Sequence, residues 1–298
     1  MAAAHIAQLN IGVMVAPTDD PAVAEFMDAL DEINALADES PGFVWRLQTD
    51  EGNATDIQIF PNPLQLVNMS VWETVDDLKT YVYRSPHVEY FRRRAEWFER
   101  DDRRVALWSI APGTIPELSD AVRRVEFLER HGPSPYAFGF GTPQPPLLFE
   151  TTDLDDPDTV ALVERLNAEL ASVATEPNEL HFGLTSPEIT GDQGRMVRAR
   201  LDGELVGCGG VRRIESNVGE IKRMFVDPVV RGRKIGAAIL DQLEQASIEL
   251  GLDRVQLETG VHQPEAIALY ERAGYDPIEP WGVYLESATT SRCFAKAL

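Results

Sequence analysis

A chain of 298 residues, 44% hydrophobic and 26% charged, has an ordinary soluble composition and the length for two domains of about 150 residues each. Its 27 Lys+Arg against 49 Asp+Glu leave a net charge of −22, which would repel a phosphate backbone: no nucleic-acid partner is expected, while a cationic small molecule stays open. Two cysteines, Cys208 and Cys293, and five scattered histidines form neither a disulfide framework nor a zinc cluster, so a reducing, cytoplasmic setting and no metal are expected.

The opening stretch MAAAHIAQLNIGVMVAP lacks the basic flank and cleavage pattern of a signal peptide, and no membrane association is expected. His5 to Val15 alternates as a half-buried strand. After Asp20-Pro21 an amphipathic helix follows, with Val23, Phe26, Met27, Leu30, Ile33 and Leu36 on one face, closed by Gly42. Strands are expected at Phe43 to Leu47 and Leu64 to Trp72, then a helix from about Val75 to Phe98, interrupted near Ser85-Pro86, then a strand from Arg104 to Ile110. The order βαββαβ is that of a ferredoxin-like half-barrel, an α+β fold with one open sheet face. A second copy covers that face most simply, which predicts a homodimer; the second half of the chain or the helix after Pro116 is another cover.

The segments WETVDDLKTYVYRSPHVEYFRRRAEWF and VALWSIAPGTIPELSDAVRRVEFLERHGPSPYAFGF resemble the DUF3291 family, a branch of the dimeric α/β-barrel superfamily, over roughly residues 1 to 140. The superfamily includes cofactor-independent monooxygenases and haem-degrading enzymes, but the family carries no activity to transfer. His87 is read as a surface or capping residue rather than a haem or metal ligand. Arg92, Arg93 and Arg94 point in three directions on a helix and read as a solvated face pairing with Glu96 and Glu99.

GTPQPP, Gly141 to Pro146, blocks helix and strand alike and sets the boundary: domains at 1–146 and 147–298. Charge does not distinguish them, with 12 basic and 23 acidic residues before the boundary and 15 and 26 after it. The second half reads as a strand at Leu147 to Glu150, a helix from Pro157 to about Ala174, and a hairpin turning at Asp202-Gly203. A strand from Gly219 to Val226, a helix striped by Ile235, Ile239, Leu243, Ala246 and Leu250, a strand from Arg254 to Thr259 and a helix from Glu265 to Arg272 complete the pattern.

Arg231-Gly232-Arg233-Lys234-Ile235-Gly236 joins a strand to a helix N-terminus, where backbone N–H groups and the helix dipole favour an anion. It does not fit a Walker loop, and Gly207, Gly209 and Gly210 do not fit a dinucleotide fingerprint. Between residues 212 and 234, Arg212, Arg213, Lys222, Arg223, Arg231, Arg233 and Lys234 outnumber Glu215, Glu220 and Asp227. A basic patch in an acidic chain suits a polyanionic ligand.

EIKRMFVDPVVRGRKIGAAILDQLEQAS and QPEAIALYERAGY resemble motifs A and B of the GNAT acetyltransferase family, in the right order and spacing, within a likeness over roughly 147 to 298. The resemblance implies the GNAT mixed-sheet fold, acetyl-CoA as co-substrate and an amine acceptor. It implies that Met224, Phe225 and Val226 hold the pantetheine arm and polarise the thioester. Arg231, Gly232, Arg233, Lys234, Ile235, Gly236 and Ala237 would bind the pyrophosphate. Lys234 stands where the middle glycine is usual, and Gln263 where an asparagine near the CoA is frequent. Tyr270 occupies the general-acid position. Glu220, on the face of Met224 and Val226 by strand alternation, is the candidate general base, its other reading an exposed carboxylate paired with Lys222. Cys208 reads as a buried strand residue rather than an acyl carrier.

The reading is an N-acetyltransferase that moves acetyl directly to a primary amine of a small molecule or peptide. Two rivals stand beside it: a non-catalytic acyl-CoA sensor or scaffold, and a bifunctional chain whose first domain binds or oxidises a small hydrophobic ligand. Glu176 to Thr190 and Glu279 to Ser291 would form the acceptor pocket, with Phe182, Trp281 and Tyr284 as lining.

Overall fold

The computed structural model describes residues 4–99, 104–173 and 183–298. The chain divides into two compact units, Met1–Leu147 and Leu148–Leu298. The first is built from β1 (His5–Val13), α1 (Ala24–Asp28), α2 (Leu30–Asp38), β2 (Phe43–Arg46), β3 (Gln65–Trp72), α3 (Val75–Arg84), α4 (His87–Arg93), β4 (Arg104–Ile110) and α5 (Leu118–His131). Its four strands form one sheet in the order β2-β3-β1-β4, and every pairing is antiparallel. The expected first helix is two segments meeting at Ala29, whose own backbone stays helical at φ −83°, ψ −12°. Ser85 turns extended before Pro86 and separates α3 from α4, as steric conflict with the proline ring requires. The helix expected to run to Phe98 ends earlier, at Arg93, and a 3₁₀ turn, Arg94–Glu96, follows.

Alternation along β1 sends Ala7, Leu9 and Ile11 to one face, where they join Val67, Met69 and Val71 of β3 and Ala106, Trp108 and Ile110 of β4. This face is covered from within the chain. Ala121 and Val125 of α5 lie in the same cluster, with Trp45, Leu47, Ile57 and Phe60 packed against it. The open apolar face on which the homodimer expectation rests is therefore closed by the helix after Pro116. The opposite face carries Ile6, Trp72 and Leu107 under Ala37 of α2 and Leu78 and Val82 of α3. His87 stacks on Tyr81, with ring centroids 4.8 Å apart, and its Nδ1 lies 3.3 Å from the Val82 carbonyl. Arg93 bridges Glu25 and Glu96, and Arg92 pairs with Glu89.

The second unit continues with β5 (Leu147–Thr152), α6 (Pro157–Val173), β6 (Gly194–Leu201), β7 (Glu204–Arg213), β8 (Val218–Val226), α7 (Ile235–Glu249), β9 (Arg254–Gly260), α8 (Pro264–Arg272), β10 (Asp276–Ile278) and β11 (Ser291–Ala297). They form a seven-stranded mixed sheet in the order β10-β11-β9-β8-β7-β6-β5. Asp202 and Gly203, both at positive φ (53° and 89°), make the two-residue turn between β6 and β7. α7 comes so close to β7 that a Cβ on Gly209 would stand 2.8 Å from Leu243 and 2.9 Å from Ile239, which is why glycine fills that strand position. On the other side, Leu162 and Leu166 of α6 pack on Met196, Cys208 and Phe225. No helix among the described residues is long and apolar enough to cross a membrane.

Candidate active site

β8 and β9 are parallel and pair over four residues only, Val218 to Ile221 against Arg254 to Leu257. Beyond them β8 stays bonded to β7 and β9 to β11, so the two strands part and leave an opening in the sheet. A bulge marks the same place. The β7–β8 register shifts between Cys208 and Gly210, and Arg223 takes a left-handed φ of 59° opposite it. The backbone groups of Lys222 to Val226 on the β9 side are thus left without a β9 ladder. Phe225 buries its side chain in the core under α6, so only its backbone can serve a ligand.

The loop after β8 ends at the N-terminus of α7. Lys234, at φ 65° and ψ 16°, occupies the left-handed conformation that glycine adopts at low cost, and Gly232 (φ 80°) precedes it. No side chain caps α7, and its first turn holds no acidic residue. The N–H groups of that turn and the dipole behind them favour an anion there. Substituting Lys234→Gly should raise stability by about 1 kcal/mol or less through relief of the left-handed strain, while weakening the binding of acetyl-CoA expected from the sequence resemblance through loss of a charge. Thermal melting and calorimetric titration of the variant check both signs.

Arg231 differs from its expected role. Its Nε donates to the Val226 carbonyl at 2.9 Å and its Nη2 to both carboxylate oxygens of Glu169 on α6, at 2.7 and 2.8 Å. Four residues earlier on each partner, Arg165 pairs with Asp227 at 2.7 Å. Arg231 therefore fastens the loop to α6, while Arg233 beside it is exposed. Arg231→Ala should lower both the melting temperature and acetyl-CoA affinity. Arg233→Ala should change affinity and its salt dependence alone. Melting curves and titrations at two salt concentrations separate the two. Ile235 is core, Gly236 has room for a Cβ beside Leu269 and Val226, and Ala237 is half-buried. The Gln263 Oε1 accepts from the Thr259 hydroxyl at 2.6 Å and from the Gly260 N–H at 3.1 Å, fixing the turn into α8.

Tyr270 on α8 is 6% exposed, and its hydroxyl donates to the Met224 thioether at 3.7 Å, so it stands over the strand segment that β9 has left. Burial, reinforced by the Glu258 carboxylate, pushes its phenol above the usual range and keeps it protonated.

Glu220 is not an exposed carboxylate: it is 1% exposed. Its Oε2 accepts from Arg212 Nε at 2.7 Å; its Oε1 accepts from the Tyr284 hydroxyl at 2.5 Å and lies 3.4 Å from Lys222 Nζ. Arg212 also pairs with Glu188. Both oxygens of Glu220 are thus engaged. Trp281 meets Tyr284 edge-on, with centroids 4.9 Å apart, which brings both expected lining aromatics to this cluster. Phe182 lies outside the described residues.

Sequence reasoning missed a second carboxylate. Glu220 and Gln256 are register partners, so Glu258, two residues further along β9, shares the Glu220 face at the opening. Ser291 donates to its Oε1 at 2.7 Å, and Ser287 bonds Ser291 at 2.9 Å. Burial raises the Glu258 carboxyl above the ordinary range, offset in part by Ser291 and Lys222. The alternation of apolar Val255 and Leu257 with polar Gln256 and Glu258 was the signal that could have found it.

The sheet is thus parted beside an uncapped helix N-terminus, with a buried phenol at the gap. Residues 159–275 match the acetyltransferase (GNAT) family model, and residues 5–152 match a domain of unknown function, DUF3291. An IAA acetyltransferase from Azospirillum brasilense is 39% identical over 129 residues, covering 42% of this chain and 81% of that protein. The chain belongs to the GNAT family and is an acetyl-CoA-dependent N-acetyltransferase carrying an N-terminal DUF3291 domain. Among solved structures it is similar to an acyl-CoA N-acyltransferase from Klebsiella pneumoniae (28% identity, 51% of this chain and 97% of that one, TM-score 0.44). Another is a GNAT acetyltransferase from Elizabethkingia anophelis, solved with acetyl-CoA bound (13% identity, 51% and 98%, TM-score 0.38).

Proposed function

We propose that the C-terminal domain transfers acetyl directly to a primary amine, with Glu258 as proton acceptor, Tyr270 as donor toward the sulfur and Glu220 as a positioning residue. The observation that carries this reading is the parting of β8 from β9 between Glu258 on one strand and Met224, under Tyr270, on the other. Acetyl-CoA supplies a thioester-activated acetyl group. The loop N–H groups with Arg233 and Lys234 hold its phosphates, and the free backbone of Met224 to Val226 holds its arm and donates to the carbonyl oxygen as that gains charge. One such donor is worth about 3 kcal/mol.

An amine attacks only when neutral, and its ordinary pKa lies near 10. A carboxylate with a raised pKa and an unsaturated acceptor set takes that proton better than one saturated by Arg212 and Tyr284, which favours Glu258 over Glu220. Direct transfer is favoured over a cysteine carrier because burial pushes both thiols, Cys208 and Cys293, up to about 12, leaving almost no thiolate at neutral pH. A panel of primary amines assayed for acetyl-CoA-dependent CoA release tests the proposal. Acetylated product at the amine is expected; acetyl-enzyme at Cys208 or Cys293 found by mass spectrometry would contradict it.

A further inference from the structure

Two buried serines reach toward Glu258, Ser291 from β11 and Ser287 from the 3₁₀ turn before it, Gly282–Ser287. In the β9–β11 ladder Glu258 stands opposite Cys293 and Gly260 opposite Ser291, so Ser291 lies on the Glu258 face, two residues along. Gly260 puts no side chain beside it, and the Ser291 hydroxyl leans across to Glu258 Oε1 at 2.7 Å. Among the described residues no other group donates to this carboxylate, and Oε2 takes no hydrogen bond. The Ser291 proton is thereby committed, so in the 2.9 Å bond between the two serines Ser287 is the donor. Thr290 fixes the turn between them: its N–H and its hydroxyl both donate to the Ser287 carbonyl, at 2.9 and 3.2 Å.

Charged and titratable groups face Glu258 from every element around it. On β8, Lys222 favours its ionised form and Glu220 opposes it. Tyr270 of α8 and Tyr284 of the turn feel the Glu258 charge, and burial keeps both phenols protonated. Cys293, opposite it on β11, is pushed up to about 12 by burial and stays a thiol. Ser291 alone among these makes a hydrogen bond to the carboxylate, and a donor to a carboxylate favours the ionised form. A serine is also neutral. It holds the oxygen without cancelling the charge, whereas Arg212 holds Glu220 as an ion pair.

Building on the transfer reading above, we propose that Ser291, steadied by Ser287, is a positioning residue for the general base: it pins Glu258 Oε1 and leaves Oε2 to the amine. The proton leaves the amine nitrogen for Oε2 while Oε1 keeps the Ser291 bond. Ser291 acts through Glu258 and takes no proton itself. Removing its hydroxyl takes a donor from the ionised form, so the Glu258 carboxyl rises further and the carboxylate is lost at a higher pH. A hydrogen bond to a charged group corresponds to a shift of about one to two pH units.

The test titrates Glu258 by NMR in the full chain carrying carbon-13 at the glutamate carboxyl, its signal assigned by its absence from Glu258→Gln. The proposal expects Ser291→Ala to raise the midpoint by about one to two pH units and Ser287→Ala to raise it by less. Ser291→Thr keeps the hydroxyl and should hold the parent's midpoint. An unmoved midpoint in Ser291→Ala overturns the proposal. So does a midpoint that Ser291→Thr displaces as far as Ser291→Ala, since the effect is then one of packing. Where Ser291→Ala does not fold, Ser287→Ala decides in the same way. Rates of CoA release across pH, with phenethylamine and isoamylamine as acceptors, separate this from the choice of base. An acid limb that persists in Glu258→Gln removes Glu258 as base and the proposal with it. A limb lost in Glu258→Gln yet unmoved in Ser291→Ala overturns the proposal alone, and if neither amine turns over, the titration decides.

Discussion

Tyr270→Phe should lower turnover by about 100-fold or more, the range of a lost general acid. The hydroxyl makes one weak bond, to the Met224 sulfur, while the ring packs near Tyr275 and Phe294 at centroid distances of 5.9 and 6.1 Å. Phenylalanine keeps that packing, so the melting temperature and acetyl-CoA affinity should stay close to the parent's. Because burial raises the phenol, the parent should show no alkaline loss of rate from Tyr270 below the ordinary phenol range. Steady-state kinetics across pH on any accepted amine check both points. Parent-level turnover in the variant would make water the donor and Tyr270 a packing residue.

Replacing the two carboxylates should give opposite signatures. As the proposed base, Glu258 would act ionised, and its carboxyl is raised, so the parent's rate should fall as pH drops, beginning above the usual carboxylate range. Glu258→Gln removes that limb and lowers the rate at neutral pH by about 100-fold. Part of the loss should return as pH rises and more of the amine is already neutral. Glu220→Gln removes the anion between Arg212 and Lys222, leaving Arg212 to Glu188 alone and Lys222 without its carboxylate in a buried cluster, a loss of about 3–5 kcal/mol for breaking such a pair. Its signature is a fall in melting temperature with no recovery at high pH. If instead Glu220→Gln melted like the parent and lost a base limb from its pH profile, the roles of the two carboxylates would be exchanged.

Most elements and their order were legible because each rests on local chemistry: period-two alternation in β1, Ser85-Pro86 between α3 and α4, Asp202-Gly203 between β6 and β7. The loop before α7 was legible for the same reason, since its signal is contiguous. What stayed hidden depends on which strands become neighbours. Glu258 enters the site through the β8–β9 register, which its strand alternation alone does not give, and the bond of Tyr284 to Glu220 spans 64 residues. Arg231 has the right type and place for a phosphate, but Glu169 of α6 claims its guanidinium. The cover over the first sheet was of this kind too, because α5 lies outside the βαββαβ pattern and its Ala121 and Val125 close the face left open by that pattern.

The central claim is that the parted strands and the N-terminus of α7 form an acetyl-CoA site. Isothermal titration of acetyl-CoA into the full-length protein, repeated with Arg233→Ala, tests it most directly. The account predicts one site per chain, an affinity that falls as salt is raised, and a weaker salt dependence in the variant. Folded protein with no detectable binding at millimolar acetyl-CoA, or binding indifferent to both salt and Arg233, would contradict it.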